Sequence, residues 1–414
     1  MKILILSSSA GNGHNSTANK IKNIVLKNHS DYEIEIVDIY KAYGSKFKSW
    51  TMSEGYLLAC NHFVKVYNYF FKKSEKNDYS TRDTNSANTD TYSLLSGILN
   101  KIYTFKPDLI ISTYIFCTVA LNNLKRYYDI PAKIFCMTLD YGISPYWESA
   151  SCVDKMFLTD NYMVAPFKEK GYTDNQLVVS GIPVGDDFSA VLDKIETRKE
   201  LELDENMFTL LVMKSGFFGI KNKKLIKEFA KIEKPIQIVL VNGKNKKIKE
   251  NLDKLICKSK LKHKFVNLGF TDKVAKFLSA SDAILTKGGG LSTTEALNKE
   301  CPMIIIDNLP QQEIYNKKYL VENGCAVDCN KKNTISKIIN KILNNEIDLE
   351  KIKDRMHALK KVDALLTFYN EIEKVEPALY PENLKTNYSK KEVIKNVDKE
   401  RKLQIKKERG KNGK

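Results

Sequence analysis

The chain has 414 residues, 43% of them apolar, and a formal net charge of +17. That length exceeds one ordinary core and fits two domains of roughly 150–200 residues each, and the basic surplus favours an anionic partner: nucleic acid, acidic lipid or a phosphorylated substrate. Nothing reads as a secretory signal, and the longest uncharged stretch, "LIISTYIFCTVALNNL" from Leu109, falls short of the roughly 18–20 apolar residues a membrane span needs, so the chain is expected not to cross a membrane by itself.

Apolar runs and helical stretches alternate from the start. "KILIL" reads as a strand, and "SSSAGNGHNSTA" after it places Gly11, Gly13 and His14 where a helix opens. "YEIEIVDI" follows. The stretch Phe47 to Phe71 is rich in aromatics, and the polar run Lys76 to Asp90 reads as a mobile loop. "PDLIIST", "AKIFCMTLD", "KMFLTD" and "QLVVSGIPV" complete a first series of strands. A charged helical segment, "SAVLDKIETRKELELDEN", interrupts it. "FTLLVMK", "IQIVLVNG", "KFVNLGF", "DAILTKGG" and "CPMIIID" then form a second series. Short, continuously apolar strands with helices between them point to parallel sheets buried on both faces, hence an α/β class. The organisation expected is two Rossmann-like domains, 1–190 and 207–360, with a linker over 191–206, a helix over 361–379 that crosses back, and a basic tail over 380–414, disordered or a solvated helix. The eight cysteines form no CxxC pair and read as free thiols of a reducing compartment.

The most informative stretch is "AILTKGGGLSTTEALNKECPMIIID". A strand leads through Thr286 and Lys287 into three glycines, and a helix is predicted from about Ser292 to Asn298. Glycines admit a close ligand, and a helix start offers unpaired N–H groups at the positive end of its dipole, as a diphosphate requires. The loop is neither a Walker A sequence nor GxGxxG. Glu295 reads either as a carboxylate for both ribose hydroxyls of a nucleotide or as an ordinary acid favoured by the dipole, and Lys287 either as a cation near a leaving diphosphate or as a solvated lysine.

The series "SAGNGH", "DYGISPYW", "SGIPV", "VNGKN", "LGF", "LTKGGG" and "QEIYN" resembles, in order and over residues 1–370, the monogalactosyldiacylglycerol synthase and processive diacylglycerol glucosyltransferase family. These are GT-B glycosyltransferases related to the enzyme that adds N-acetylglucosamine to lipid I. The resemblance implies two domains facing across a cleft and an inverting transfer of a hexose from UDP-glucose or UDP-galactose to diacylglycerol or a similar lipid. The UDP-sugar is then a co-substrate, and neither cofactor nor metal is implied. His14 corresponds to the base that takes the acceptor proton, with Gly11, Gly13 and Asp140 on the acceptor side. Gly289, Gly290, Leu291 and Ser292 match the diphosphate loop, preceded by Lys287, and Glu295 matches the ribose carboxylate. Gln312 and Glu313 match the pair that reads sugar hydroxyls, Asn316 a family asparagine, and Phe270 the position whose backbone faces uracil.

Three departures from the family pattern stand out. Ser144 and Tyr114 occupy positions usually held by histidine, and Lys214, Phe217 and Phe218 stand where small residues are expected. The alternative reading is therefore a catalytically degenerate homologue that binds a lipid surface or a nucleotide. The aromatic stretch, with Lys46, Lys48, Lys65, Lys72 and Lys73, reads either as an element lying in the headgroup layer or as helical core. An anionic membrane surface is an expected partner, nucleic acid is not, and the expected location is cytoplasmic, peripheral on the inner face of the cell membrane.

Overall fold

The computed structural model describes residues 1–9, 12–45, 63–75, 85–144, 146–147, 152–213, 220–307 and 309–399. The first half runs β1 (Lys2–Ser7), α1 (Asn12–Asn28), β2 (Glu33–Asp38), α2 (Ile39–Tyr43), α3 (Val64–Glu75), α4 (Asn85–Phe105), β3 (Leu109–Ser112), α5 (Ile115–Tyr127), β4 (Lys133–Met137), β5 (Lys155–Leu158), α6 (Val164–Glu169) and β6 (Leu177–Val179). After α7 (Lys194–Glu200), the second half runs β7 (Thr209–Met213), α8 (Asn222–Phe229), β8 (Gln237–Val241), α9 (Lys246–Ser259), β9 (Lys264–Leu268), α10 (Val274–Ala280), β10 (Ala283–Thr286), α11 (Gly290–Asn298), β11 (Met303–Ile305), α12 (Gln311–Glu322), β12 (Ala326–Asp328), α13 (Ile335–Leu343) and α14 (Leu349–Leu359). The chain then forms α15 (Ala364–Ile372) and a last helix, α16, over 390–399.

The strands make two parallel six-stranded sheets, in the orders β2-β1-β3-β4-β5-β6 and β12-β11-β10-β7-β8-β9. Each has one switch point, where the winding direction reverses: between β1 and β3 in the first sheet and between β7 and β10 in the second. Ligands of open α/β sheets bind in the crevice beyond the strand ends at such a point. Every strand read from the sequence is present. The sequence reading missed β12, whose three residues include a charged one and carry no pattern.

Buried strands explain the continuous apolar runs. On β1, Leu4 and Leu6 enter one core layer while Ile3 and Ile5 enter the other. The second layer is closed by Ala18, Ile21 and Val25 of α1 together with Leu365, Phe368 and Ile372 of α15. The chain thus returns from the second domain to seal the first, with the Phe368 ring 4.4 Å from that of Phe157.

Two expectations need correction. The polar run from Lys76 is helical from Asn85 onward, as the start of α4, while 76–84 lie outside the described residues. The tail is ordered as far as 399: Val393 and Val397 are buried against α4 and the first core, and Asn100 and Tyr388 exchange side-chain to backbone hydrogen bonds at 3.0 and 2.7 Å. Two valines four apart make one helical stripe, a signal hidden among the lysines. Replacing Val393 or Val397 by alanine should cost about 2 kcal/mol each in denaturant unfolding. Unchanged midpoints would contradict the packed tail.

Candidate functional site

The site begins at the first switch point. His14 lies in the opening turn of α1, and its Nδ1 is 2.6 Å from the carbonyl oxygen of Thr113, just past β3. A carbonyl oxygen only accepts, so Nδ1 carries the proton and Nε2 presents its lone pair. Burial pushes the imidazole pKa down to about 4, against the opposing effect of the Thr113 carbonyl, so the ring is neutral at physiological pH. A chain of polar groups holds the turn: Thr113 Oγ1 donates to Ser7 Oγ at 3.0 Å, Ser7 to Asn15 Oδ1 at 2.6 Å, Asn15 to Ser9 at 3.2 Å, and Ser9 to Asp38 at 2.5 Å. Among the described residues, apart from its own helix backbone and chain neighbours, nothing lies within 4 Å of where a Cβ on Gly13 would point. Ala10 and Gly11 lie outside the described residues.

Tyr114, at the family's histidine position, packs edge-on against His14 with centroids 4.8 Å apart. Phe116 lies 5.5 Å from Tyr114, and Tyr146 lies 5.2 Å from Phe116, so rings lead away from the imidazole. Ser144, the other departure, accepts from the Tyr146 N–H at 3.4 Å. Lys214, Phe217 and Phe218 fall outside the described residues.

The second switch point holds the glycine loop. The helix α11 begins at Gly290, two residues before its predicted start, with Gly289 as its cap. Its first intrahelical bond runs from Thr293 N–H to the Gly289 carbonyl, which leaves the N–H groups of Gly290, Leu291 and Ser292 without helical acceptors. The Thr293 and Thr294 hydroxyls fold back onto the carbonyls of Gly289 and Gly290. The structure places a further demand on two of the three glycines. A Cβ at Gly288 would collide with the carbonyl oxygen of Glu313, and one at Gly290 with that of Leu139 in the first domain. Two of the three therefore admit protein backbone, and Gly289 faces the Lys287 and Glu313 side chains.

Asn316, on α12, joins the two domains. Fully buried, it donates from Nδ2 to Asp140 Oδ1 at 2.7 Å and to the Gly288 carbonyl at 2.8 Å; its Oδ1 accepts from Tyr141 N–H at 2.6 Å and Gly142 N–H at 3.2 Å. All four bonding positions of its amide are filled by protein. Beside it, Tyr319 is sandwiched between Tyr141 and Tyr162, at 4.9 and 5.0 Å, and the Tyr141 hydroxyl lies 2.9 Å from Thr294 Oγ1. Sequence reasoning missed this stack, because nothing local marks rings that meet across domains.

The remaining candidates divide into separate contacts. Lys287 Nζ pairs with Glu313 Oε1 at 2.5 Å, while Glu313 Oε2 is buried with no donor. Glu295 is met by Lys20 of α1 at 3.3 Å, and burial raises the Glu295 pKa although Lys20 opposes it. The helices that open at the two switch points are thus in contact across the domains. Gln312 is bonded to Tyr67 of α3. Phe270 stands apart beyond β9, 66% exposed, with Lys244 Nζ 5.5 Å from its ring. The structure thus gathers Asp140, Lys287, Gly289, Gly290, Glu313 and Asn316 into one contact network. Lys20 and Tyr67 went unread because a lone lysine and one aromatic among many carry no local signal.

Two parallel α/β domains, each with one switch point, define the class: this is the GT-B fold. The Acinetobacter baumannii protein MurG matches over 90% of this chain and 100% of its own, with a TM-score of 0.58 at 13% identity. HepE of Anabaena, solved with UDP, matches over the same shares with a TM-score of 0.52 at 14% identity. A profile described as monogalactosyldiacylglycerol (MGDG) synthase matches residues 14–184, and one described as glycosyl transferases group 1 matches 193–358. Among curated proteins, the processive diacylglycerol beta-glucosyltransferase of Staphylococcus saprophyticus is 29% identical over 78% of this chain and 80% of its own length. Monogalactosyldiacylglycerol synthase 2 of Arabidopsis thaliana is 26% identical over 90% and 80%. The chain is thus similar to monogalactosyldiacylglycerol synthases over its first half, to group 1 glycosyl transferases over its second, and to processive diacylglycerol glucosyltransferases over most of its length.

Asp140 supplies a test of the buried junction. Burial raises its pKa to about 6, with Glu313 adding to the rise and Asn316 and Lys287 opposing it. A carboxyl that titrates higher folded than unfolded contributes stability that is complete below about pH 4 and lost as the pH rises through 6. Asp140→Asn should therefore raise thermal stability at neutral pH, by up to about 3 kcal/mol, and the gain should vanish near pH 4. A gain of the same size at both pH values would contradict this account.

Proposed function

We propose that the protein is an inverting hexosyltransferase that moves glucose or galactose from a UDP-sugar to diacylglycerol or a similar membrane lipid. The observation that carries the reading is the opposition of two switch points: a neutral imidazole with Nε2 presented on one wall, and unpaired N–H groups at a helix start on the other. The acceptor hydroxyl gives its proton to His14 Nε2 as its oxygen attacks the anomeric carbon. The bond to the diphosphate breaks on the opposite face, and the electron pair leaves with UDP. The N–H groups of Gly290, Leu291 and Ser292, the Ser292 hydroxyl and the α11 dipole meet the negative charge that develops there. Glu295 receives the ribose once Lys20 is displaced, the Phe270 segment receives uracil, and Glu313 reads the sugar.

The acceptor side fits a lipid. The ring series Tyr114, Phe116, Tyr146 leads outward from His14 and offers an apolar wall. Phe63, just before α3, and Val66 and Tyr69 on it are 57%, 52% and 66% exposed, and Lys65, Lys72 and Lys73 of α3 are exposed as well. Rings and cations together suit the headgroup layer of an anionic bilayer. Trp50 and Tyr56 of the same stretch lie outside the described residues. No helix of the described residues is long and apolar enough to cross a membrane, and we assign the protein to peripheral attachment at the cytoplasmic face.

Three outcomes follow. His14→Ala should lower lipid-dependent transfer from UDP-glucose or UDP-galactose by about 10²–10⁴-fold while UDP affinity stays within about twofold; a fully active variant removes the base assignment. In pH profiles of kcat/KM, the acid limb should fall near the His14 pKa of about 4. A limb near 6 that disappears in Asp140→Asn would move the role to Asp140. In flotation, recovery with phosphatidylglycerol vesicles should drop as salt rises, and salt-independent recovery would remove the electrostatic part of the attachment.

A further inference from the structure

The junction of α3 and α12 carries more than the docking of one helix on another. The Tyr67 hydroxyl lies 3.0 Å from Gln312 Oε1 and 2.7 Å from Nε2, and Asn68 Nδ2 donates to the Leu309 carbonyl at 2.9 Å. Around these bonds, three side-chain acceptor oxygens are buried without a donor among the described residues: Asn68 Oδ1, Gln311 Oε1 and Glu313 Oε2. Gln311 is only 3% exposed, and Glu313 Oε1 is already taken by Lys287. An orphaned buried acceptor costs about 1–3 kcal/mol, and protein interiors seldom tolerate several together. Here two of them are in the first turn of α12, and the third is on α3, on the side chain that donates to the Leu309 carbonyl just before that turn. Acceptors lacking donors select an occupant that brings hydroxyl hydrogens, and an array of hydroxyls is the chemistry of a hexose.

We propose that the hexose of the nucleotide-sugar is read at this junction by both domains, with Asn68 contacting a sugar hydroxyl directly and Tyr67 acting as a positioning residue for Gln312. Tyr67 suits that task because its hydroxyl both donates and accepts, so the Gln312 amide keeps one bond to it in either orientation while its other polar atom faces the sugar. The donor-sugar pocket is then complete only while α3, the helix with the exposed aromatic face, is seated on α12. This inference rests on the UDP-sugar reading above.

The test separates the hexose from the nucleotide. Titration calorimetry with UDP, UDP-glucose and UDP-galactose is carried out on the wild-type chain, Tyr67→Phe and Asn68→Ala. Each variant should weaken binding of the preferred UDP-hexose by about five- to tenfold and leave UDP within twofold, which also reports an intact fold. Equal weakening of UDP and UDP-hexose would mean that α3 only braces α12 and would overturn the proposal, as would no change in either variant. A wild-type chain that binds UDP as tightly as both UDP-hexoses would overturn this inference alone. One that binds no UDP would overturn the donor reading together with it.

Discussion

The arrangement of the two domains depends on the side chain of Asn316. Its four hydrogen bonds reach the Gly288 carbonyl within its own domain and Asp140, Tyr141 and Gly142 in the other. Removing such a group would strand buried partners on both sides, each at about 1–3 kcal/mol, so the amide fixes a single mutual position of the walls. The close approach it fixes requires missing side chains: Gly290 faces the Leu139 carbonyl, and a Cβ on Gly142 would stand 2.6 Å from Tyr315 Cβ. The Tyr141, Tyr319 and Tyr162 stack then covers the contact with flat apolar area.

From that junction the chemistry follows by topology. Each sheet reverses its winding once, and the helix that follows the first reversal, α1, meets the one that follows the second, α11, through Lys20 and Glu295. In the first sheet the reversal brings the end of β1 beside the end of β3, so a histidine just after β1 can give its Nδ1 proton to a carbonyl just after β3. In the second it sets the α11 start beyond β10, next to β7. Lys20 and Glu295, one from each wall, meet between them.

Much of this was legible in the sequence because it is local. Eleven of the twelve strands among the described residues announced themselves as short apolar runs, and the helix-opening turns at His14 and the triple glycine were marked by residue type. What escaped depends on contacts between distant positions. The glycines at 288 and 290 looked alike in the sequence, yet one clears α12 and the other the opposite domain. Asn316 was legible only by resemblance, and its task of joining domains follows from partners nearly two hundred residues away. Lys20 and Tyr67 resembled dozens of other basic and aromatic residues, and the stripe of Val393 and Val397 was masked by charge.

The central claim is that nucleotide phosphates seat on the first turn of α11, facing His14. A crystal structure of the protein with UDP tests it most directly. The account predicts the β-phosphate within hydrogen-bond reach of the N–H groups of Gly290, Leu291 and Ser292, the ribose hydroxyls on Glu295, and Lys20 released from that carboxylate. UDP bound elsewhere, or bound with the Lys20 and Glu295 pair intact, would contradict it.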